Sequence, residues 1–316
     1  MSIIVKGLSK VFSSGVKAAD GISFKIKEGE IISVLGESGS GKSTLLRLLA
    51  GLEDADNGSI TVGEEKITGP KDNLVPGYDF ITLVYQDFNL QRFKTVAQNI
   101  ATEVYFLDPD RRERHIKKLL RICLLTDKAE SLPDELSGGQ QQRLAIAIAL
   151  AKEPQVVLMD EPFSNLDSRL KFRIRQEVTS ILKRAGVTVI MVSHDHADAM
   201  TLADRIMIMR RGKIIQVATP EQLYYKPKTE YAANFLGPMN YLFLNGDSEK
   251  TGVRPEQIKI SRTGKFHGVV SNSIFQGLHY HVYVKSDISK KDVLMYADKS
   301  LDAGKEIQFQ IQLPSA

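Results

Sequence analysis

The sequence predicts an α/β core with an antiparallel β flap and an inserted helical subdomain, followed by a small all-β module. Three observations carry that prediction. Residues 36–44 read Gly-Glu-Ser-Gly-Ser-Gly-Lys-Ser-Thr, the P-loop pattern G-x-x-x-x-G-K-[ST], between the apolar run Ile31, Ile32, Ser33, Val34, Leu35 and the helically spaced Leu45, Leu46, Leu48, Leu49 and Leu52. Two more apolar runs, residues 156–159 and 187–192, read as buried strands, one ending in Asp160 and Glu161, the other delivering Ser193 and His194. Beyond Leu236, Gly237 and Pro238 the pattern turns to two-residue alternation: Tyr280, Val282 and Val284 against His279, His281 and Lys285, then Ile307, Phe309, Ile311 and Leu313 against Gln308, Gln310 and Gln312.

With 316 residues the chain can hold two domains, one of them large. Cys123 is the only cysteine, so no intrachain disulfide framework can form and a reducing compartment is expected. Set among Leu119, Leu120, Ile122 and Leu124, it reads as a small core filler. Residues 1–10 lack a long apolar segment, and nowhere do the ~18 apolar residues of a membrane span run together. The expectation is a soluble, cytosolic chain with no signal peptide or transmembrane segment. A formal charge of +4 is too mild to select a membrane surface or a nucleic acid as partner.

In chain order, Ile3 and Val5, then Ile22, Phe24 and Ile26, then Ile60 and Val62 alternate as short strands bordering the P-loop core. Phe12, next to the turn Ser13, Ser14, Gly15, reads by itself as a packed aromatic. In the loop, Gly39 and Gly41 free the backbone to curl into a nest of N–H groups at a helix N-terminus, which suits a phosphate chain. Lys42 is then placed for the β- and γ-phosphates, and the Ser43 hydroxyl for Mg²⁺. A strand over residues 80–85 leads into Gln86, whose amide could reach a metal or a water. From Thr95 to Lys128 the composition becomes helical, with Val96, Ile100 and Val104 on one face and a charged, solvated start at residues 108–118.

A second glycine turn follows at Ser137, Gly138, Gly139 and Gln140, feeding an apolar helix from Arg143 to Ala151 and offering a second anion site or an ordinary capped helix start. Asp160 and Glu161 sit at the carboxyl end of a parallel strand, where they can divide labour: Asp160 on Mg²⁺, Glu161 on the attacking water. An amphipathic helix with Leu170, Ile174, Val178, Ile181 and Leu182 follows, capped by Asp167 or Ser168.

Taken in order, Gly36 to Thr44 (Walker A), Gln86 (Q-loop), Leu136 to Gln140 (LSGGQ signature), Val156 to Glu161 (Walker B), Ser164 to Asp167 (D-loop) and His194 (switch histidine) resemble the nucleotide-binding subunit of an ABC transporter. The likeness covers about residues 1–240 and implies a P-loop NTPase, RecA-like core with its helical subdomain at about residues 88–150. It lifts Phe12 to the ring that stacks on adenine, with Gly36, Ser38, Gly39, Ser40, Gly41, Lys42, Ser43 and Thr44 cradling ATP. It further implies that Ser137, Gly138, Gly139 and Gln140, with Asp167, close a second copy's nucleotide. Glu161 then acts as base, His194 stabilises the transition state, and Gln86 senses Mg²⁺ and the membrane partner; Ser43, Gln86 and Asp160 form the metal set.

Residues 195–226, with Thr219-Pro220-Glu221-Gln222-Leu223-Tyr224, are similar to importers of sugars, polyamines, iron, sulfate and molybdate. Residues 241–316, with Val253-Arg254-Pro255-Glu256, resemble the OB-like TOBE barrel, without a second repeat. The solute leans to ferric iron or polyamine on residues 162–167. His279 and His281 share a strand face and read as solvated outer residues rather than metal ligands. The resemblance implies a homodimer, or a pair with a paralogous ATPase subunit, at the cytoplasmic face of the inner membrane. Its partners would be permease subunits, reached through the Gln86 loop and the helical subdomain, and indirectly an external solute-binding protein, with no nucleic acid expected. The rival is a soluble ABC-type ATPase acting as a mechanical switch on nucleic acid or the ribosome.

Overall fold

The computed structural model describes residues 1–164, 168–244 and 249–312. They form two compact units, Met1–Lys228 and Thr229–Ala316.

In the first unit, β1 (Ile3–Val11) and β2 (Lys17–Ile26) pair antiparallel. The chain then enters β3 (Ile31–Leu35), buried along its whole length, and passes through the glycine loop into α1 (Lys42–Leu49). β4 (Asn57–Val62) and β5 (Glu65–Ile67) return to the first pair, giving a flap of order β2-β1-β4-β5. Its inward Ile3, Val5, Ile22, Ile26, Ile60 and Val62 are almost wholly buried, as the alternation required.

After β6 (Ile81–Val84) come three helices, α2 (Val96–Glu103), α3 (Pro109–Ile122) and α4 (Gly138–Leu150). Thr95 and Gln98 close a capping box on α2, while Asp108 caps α3 ahead of a proline in its first turn. Val96, Ile100 and Val104 are fully buried. Cys123 is buried too, and burial pushes its thiol to about 12, so it is unreactive packing as expected. The signature helix begins at Gly138, ahead of the expected Arg143, because Ser137 and Gln140 form a second capping box that overrides the low helix propensity of two glycines.

The remaining elements are β7 (Val156–Asp160), α5 (Ser168–Ala185), β8 (Thr188–Ser193), α6 (His196–Leu202), β9 (Arg205–Arg210), β10 (Lys213–Ala218) and α7 (Pro220–Tyr225). The main sheet runs β10-β9-β3-β8-β7-β6, parallel except for β10. Successive residues of its buried strands point into opposite cores. Ile32, Val34, Leu158 and Val192 meet α1 and the flap, while Ile31, Val157, Met159 and Met191 meet α2, α4 and α5. Two-sided burial explains why these strands read as unbroken apolar runs.

The second unit starts with α8 (Glu230–Phe235), then β11 (Asn240–Leu242) and β12 (Thr251–Val253), which pair with each other. β13 (Ile258–Ile260), β14 (Phe266–Phe275), β15 (Tyr280–Lys285), β16 (Val293–Ala297) and β17 (Glu306–Ile311) make an antiparallel sheet of order β13-β17-β14-β15-β16. Its two edges, β13 and β16, approach each other, so the sheet is nearly closed. Val282, Val284, Met295 and Phe309 fill its core. Residues 229–239 cluster with this unit. Buried Arg254 donates through Nη1 to the carbonyls of Ala233 (3.1 Å), Gly237 (2.8 Å) and Pro238 (3.0 Å). Leu313 lies outside the described residues. His279 and His281 are half-buried instead of solvated. Their rings stack on each other at 5.2 Å and on Tyr296, which is paired opposite His281, at 4.0 and 4.9 Å.

Candidate functional site

The carboxyl ends of three adjacent strands, β3, β8 and β7, bring distant pieces of sequence together. Parallel register sets Leu35 beside Ser193, and Val192 beside Asp160. The residues that follow, the glycine loop, His194 and Glu161, therefore meet at one sheet edge, where open α/β sheets collect ligands. The cleft between them has a volume of about 370 Å³ and is lined by Ser38, Gly39, Gly41, Lys42, Ser43, Thr44, Glu161 and His194.

The glycines of the loop are demanded by backbone proximity as well as by dihedrals. A Cβ on Gly36 would strike the Met209 carbonyl, and one on Gly41, at φ +103°, would strike that of Ala18. Ser40 is buried beside Gly36. Lys42 folds its ammonium back on the loop, donating to the carbonyls of Gly36 (2.8 Å) and Glu37 (3.0 Å). Desolvation pushes its pKa below the usual lysine range, against the opposing pull of Glu161 and Asp160. A buried cation at a helix N-terminus, in a loop that excludes side chains, is built for a polyanion. The Ser43 hydroxyl donates to Asp160 Oδ1 at 3.3 Å. Burial holds the Asp160 carboxyl above its ordinary range, eased by that bond and raised further by Glu161. Two hard oxygen donors, one of them destabilised as an anion, suit a divalent cation such as Mg²⁺.

Glu161 has φ +48°, a left-handed conformation costing a non-glycine residue about 1–2 kcal/mol. Its amide donates to Val192 O at 3.0 Å and its carbonyl accepts from Ser164 Oγ at 2.9 Å, so two neighbours hold the turn. Glu161 Oε2 lies 3.1 Å from His194 Nδ1, which makes the carboxylate and the imidazole a contacting pair.

The other expected residues lie elsewhere. Phe12 is 38 % exposed, with Lys10 Nζ 5.6 Å from its ring centroid, so it is an open platform and not core packing. Gln86 is exposed beyond β6, the strand at the edge of the sheet next to β7, and does not line the cleft. Neither do Ser137, Gly138, Gly139 and Gln140. Ser137 and Gly138 are exposed, Gln140 gives its side chain to the Ser137 amide at 2.8 Å, and Gly139 is buried where a Cβ would sit 2.5 Å from Ile174 Cδ1. Asp167 lies outside the described residues.

A group that the motifs did not reveal is Arg175, on the flank of the apolar stripe of α5. Arg175 Nη2 reaches Asp195 Oδ2 at 2.7 Å and its Nε donates to Asp198 Oδ1. Against the push of burial, the Ala197 amide and Arg175 hold Asp195 below the ordinary carboxylate range. Burial keeps Asp198 above it despite Ser193 and Arg175. The available signal was a charged residue one position after Ile174, where an exposed face was not yet due.

A loop, acid pair and histidine so placed on this strand order make an ATP-binding cassette of ABC type. The family model described as "ABC transporter" matches residues 19–164, and that described as "TOBE domain" matches residues 251–313. The chain is 33% identical to the spermidine/putrescine import ATP-binding protein PotA of Thermotoga maritima, over 90% of this chain and 87% of that protein. It is 33% identical to the glucose import ATP-binding protein GlcV of Saccharolobus solfataricus, over 96% and 95%. The solved dimer of the ATP-binding cassette MJ0796 with ADP and Pi superposes with a TM-score of 0.58 at 30% identity, covering 69% of this chain and 98% of that one. The chain belongs to the ATP-binding subunits of ABC importers, ATPases that carry a TOBE domain and work with membrane permease subunits. The soluble-switch alternative is not favoured by these relatives.

Proposed function

We propose that this chain drives solute uptake by hydrolysing MgATP in a head-to-tail dimer, and that the solute is a polyamine. The observation that carries the reading is the cleft itself, in which Lys42, Ser43, Glu161 and His194 converge while the signature residues stay outside it. A cleft that lacks its signature is half of a site, and a second copy can supply Ser137, Gly139 and Gln140. In this reading Lys42 and the loop amides hold the β- and γ-phosphates. Glu161 takes a proton from the attacking water, the water oxygen bonds to the γ-phosphorus and the bond from the γ-phosphorus to the ADP oxygen breaks. His194, held by Glu161, donates toward the charge that builds on the γ-phosphate. Mg²⁺ held by Ser43 and Asp160 would neutralise that charge, and Gln86 would join the set only by moving into the cleft from beyond β6.

No helix among the described residues is long and apolar enough to cross a membrane. The permease would dock on a groove of about 880 Å³ that includes Tyr85 and Phe88, flanking the Gln86 loop, and Asn99 and Ile148 of the helical subdomain. Phe93, Tyr105 and Phe106, at 97, 75 and 63 % exposure, border the same subdomain and favour an apolar partner surface. Such docking places the chain at the cytoplasmic face of the membrane, with the external binding protein reached only through the permease. The relative named for spermidine/putrescine import supports the polyamine reading, and the equally identical relative named for glucose import makes a sugar the competing solute. The test is ATP-dependent uptake of labelled spermidine by vesicles holding the chain with its copurified membrane subunits. Uptake of ferric iron or glucose in its place would overturn the solute, and copurification with ribosomes would overturn the transport reading.

Removing the Phe12 ring is expected to weaken nucleotide binding selectively. Phe12→Ala should raise the dissociation constant for ATP by roughly 5- to 100-fold, the worth of one base–aromatic stack. It should leave that for inorganic triphosphate unchanged, by calorimetry. Equal losses for both ligands would remove Phe12 from adenine recognition.

A further inference from the structure

Resting on the ATPase reading above, we propose that Arg175 is a positioning residue for His194. It clamps the residues on either side of the histidine and thereby aims the imidazole at Glu161.

The imidazole is exposed: its side chain is 60 % accessible, and it meets Glu161 Oε2 at 3.1 Å. Its backbone is held hard. Ser193, 2 % exposed, donates from Oγ to Asp198 Oδ2 at 2.7 Å and accepts from the Asp195 amide at 3.0 Å. Asp195 Oδ1 caps α6 through the Ala197 amide at 2.8 Å. The Arg175 guanidinium, 7 % exposed, spans both carboxylates. One planar fork from α5 thus ties the residue before the histidine, through Asp198, and the residue after it, directly.

A buried cluster of this kind is a poor source of stability, since desolvation offsets most of the attraction. Its effect is geometric: separate nitrogens of one rigid fork hold the two carboxylates, which a lysine's single ammonium cannot do in the same way. The histidine needs that fixing. A misplacement of about 1 Å can cost a reaction as much as ~10²-fold, and most of the ring faces solvent.

Arg175→Lys keeps the charge and loses the fork. In the full-length protein without nucleotide, labelled at histidine Cε1, the His194 resonance is assigned by its loss in His194→Ala. Arg175→Lys is expected to shift and broaden that resonance while His115, His267, His279 and His281 keep theirs. Turnover of MgATP should fall at least ~10-fold with the nucleotide dissociation constant within ~2-fold, as expected when only transition-state alignment is lost. A folded Arg175→Lys protein whose His194 signal superimposes on the wild type, or whose turnover is kept, overturns the proposal. So does movement of all the histidines together, which would mark a general structural role. Should Arg175→Lys not fold, Ser193→Ala cuts the same clamp without unbalancing charge, and an unmoved His194 signal there overturns it equally. The resonance needs no ATP. A wild-type protein that fails to hydrolyse ATP would sink the ATPase reading and leave Arg175 still decided.

Discussion

Glu161→Gln is expected to reduce MgATP turnover by ~10² to 10⁴-fold, the range lost with a general base, while the ATP dissociation constant stays within ~3-fold. Glutamine keeps the length and the left-handed backbone at this position, and its amide can still meet His194 Nδ1 across the 3.1 Å gap. What it loses is the capacity to take a proton. Lys42, Ser43 and Asp160 stay in place to hold the phosphates and metal, so binding survives. With hydrolysis blocked, ATP should also convert the chain to a stable dimer on gel filtration. Phosphate release within ~3-fold of wild type would remove Glu161 from the base role.

Ser137→Arg is expected to abolish hydrolysis and spare ATP binding. Ser137 is exposed at the start of α4, so the fold loses only the cap bond to the Gln140 amide, about 1 kcal/mol. The arginine would stand where a second copy's γ-phosphate must approach. Mixing provides the sharper readout. Lys42→Ala has a disabled loop and an intact signature, and Ser137→Arg the reverse, so each is inactive alone. In a two-fold dimer with shared sites, an equal mixture pairs one good loop with one good signature in half of the dimers. Turnover should return to roughly a quarter of wild type. No recovery, with both proteins shown to exchange subunits, would mean that each chain completes its own site.

Much of this site could be read in the sequence because its parts are local. The glycine loop with Lys42 and Ser43, the pair Asp160 and Glu161, and Ser137 with Gln140 each depend on residues within a few positions, where dihedral demands and capping act. The same holds for the buried strands, whose apolar runs reflect two covered faces. The start of α4 is not legible in the sequence, because two glycines argue against a helix and only the completed capping box outweighs them. The stacking of His279 and His281 on Tyr296 was missed since Tyr296 reaches them from a neighbouring strand, through a pairing that alternation alone does not specify.

By itself the sequence determined which short pieces could bind phosphate, cap a helix or line a core, because those properties follow from neighbours along the chain. Tertiary structure alone decided that β8 lies between β3 and β7, so that His194 meets Glu161 beside Lys42. It also decided that a Cβ at Gly36 or Gly41 would meet a carbonyl from Met209 or Ala18, that Lys42 is desolvated, and that Arg175 closes on Asp195 and Asp198. The physical reason is that strand order and burial join residues far apart in the chain. Desolvation and charge pairing, which set the chemistry, exist only once those residues have met.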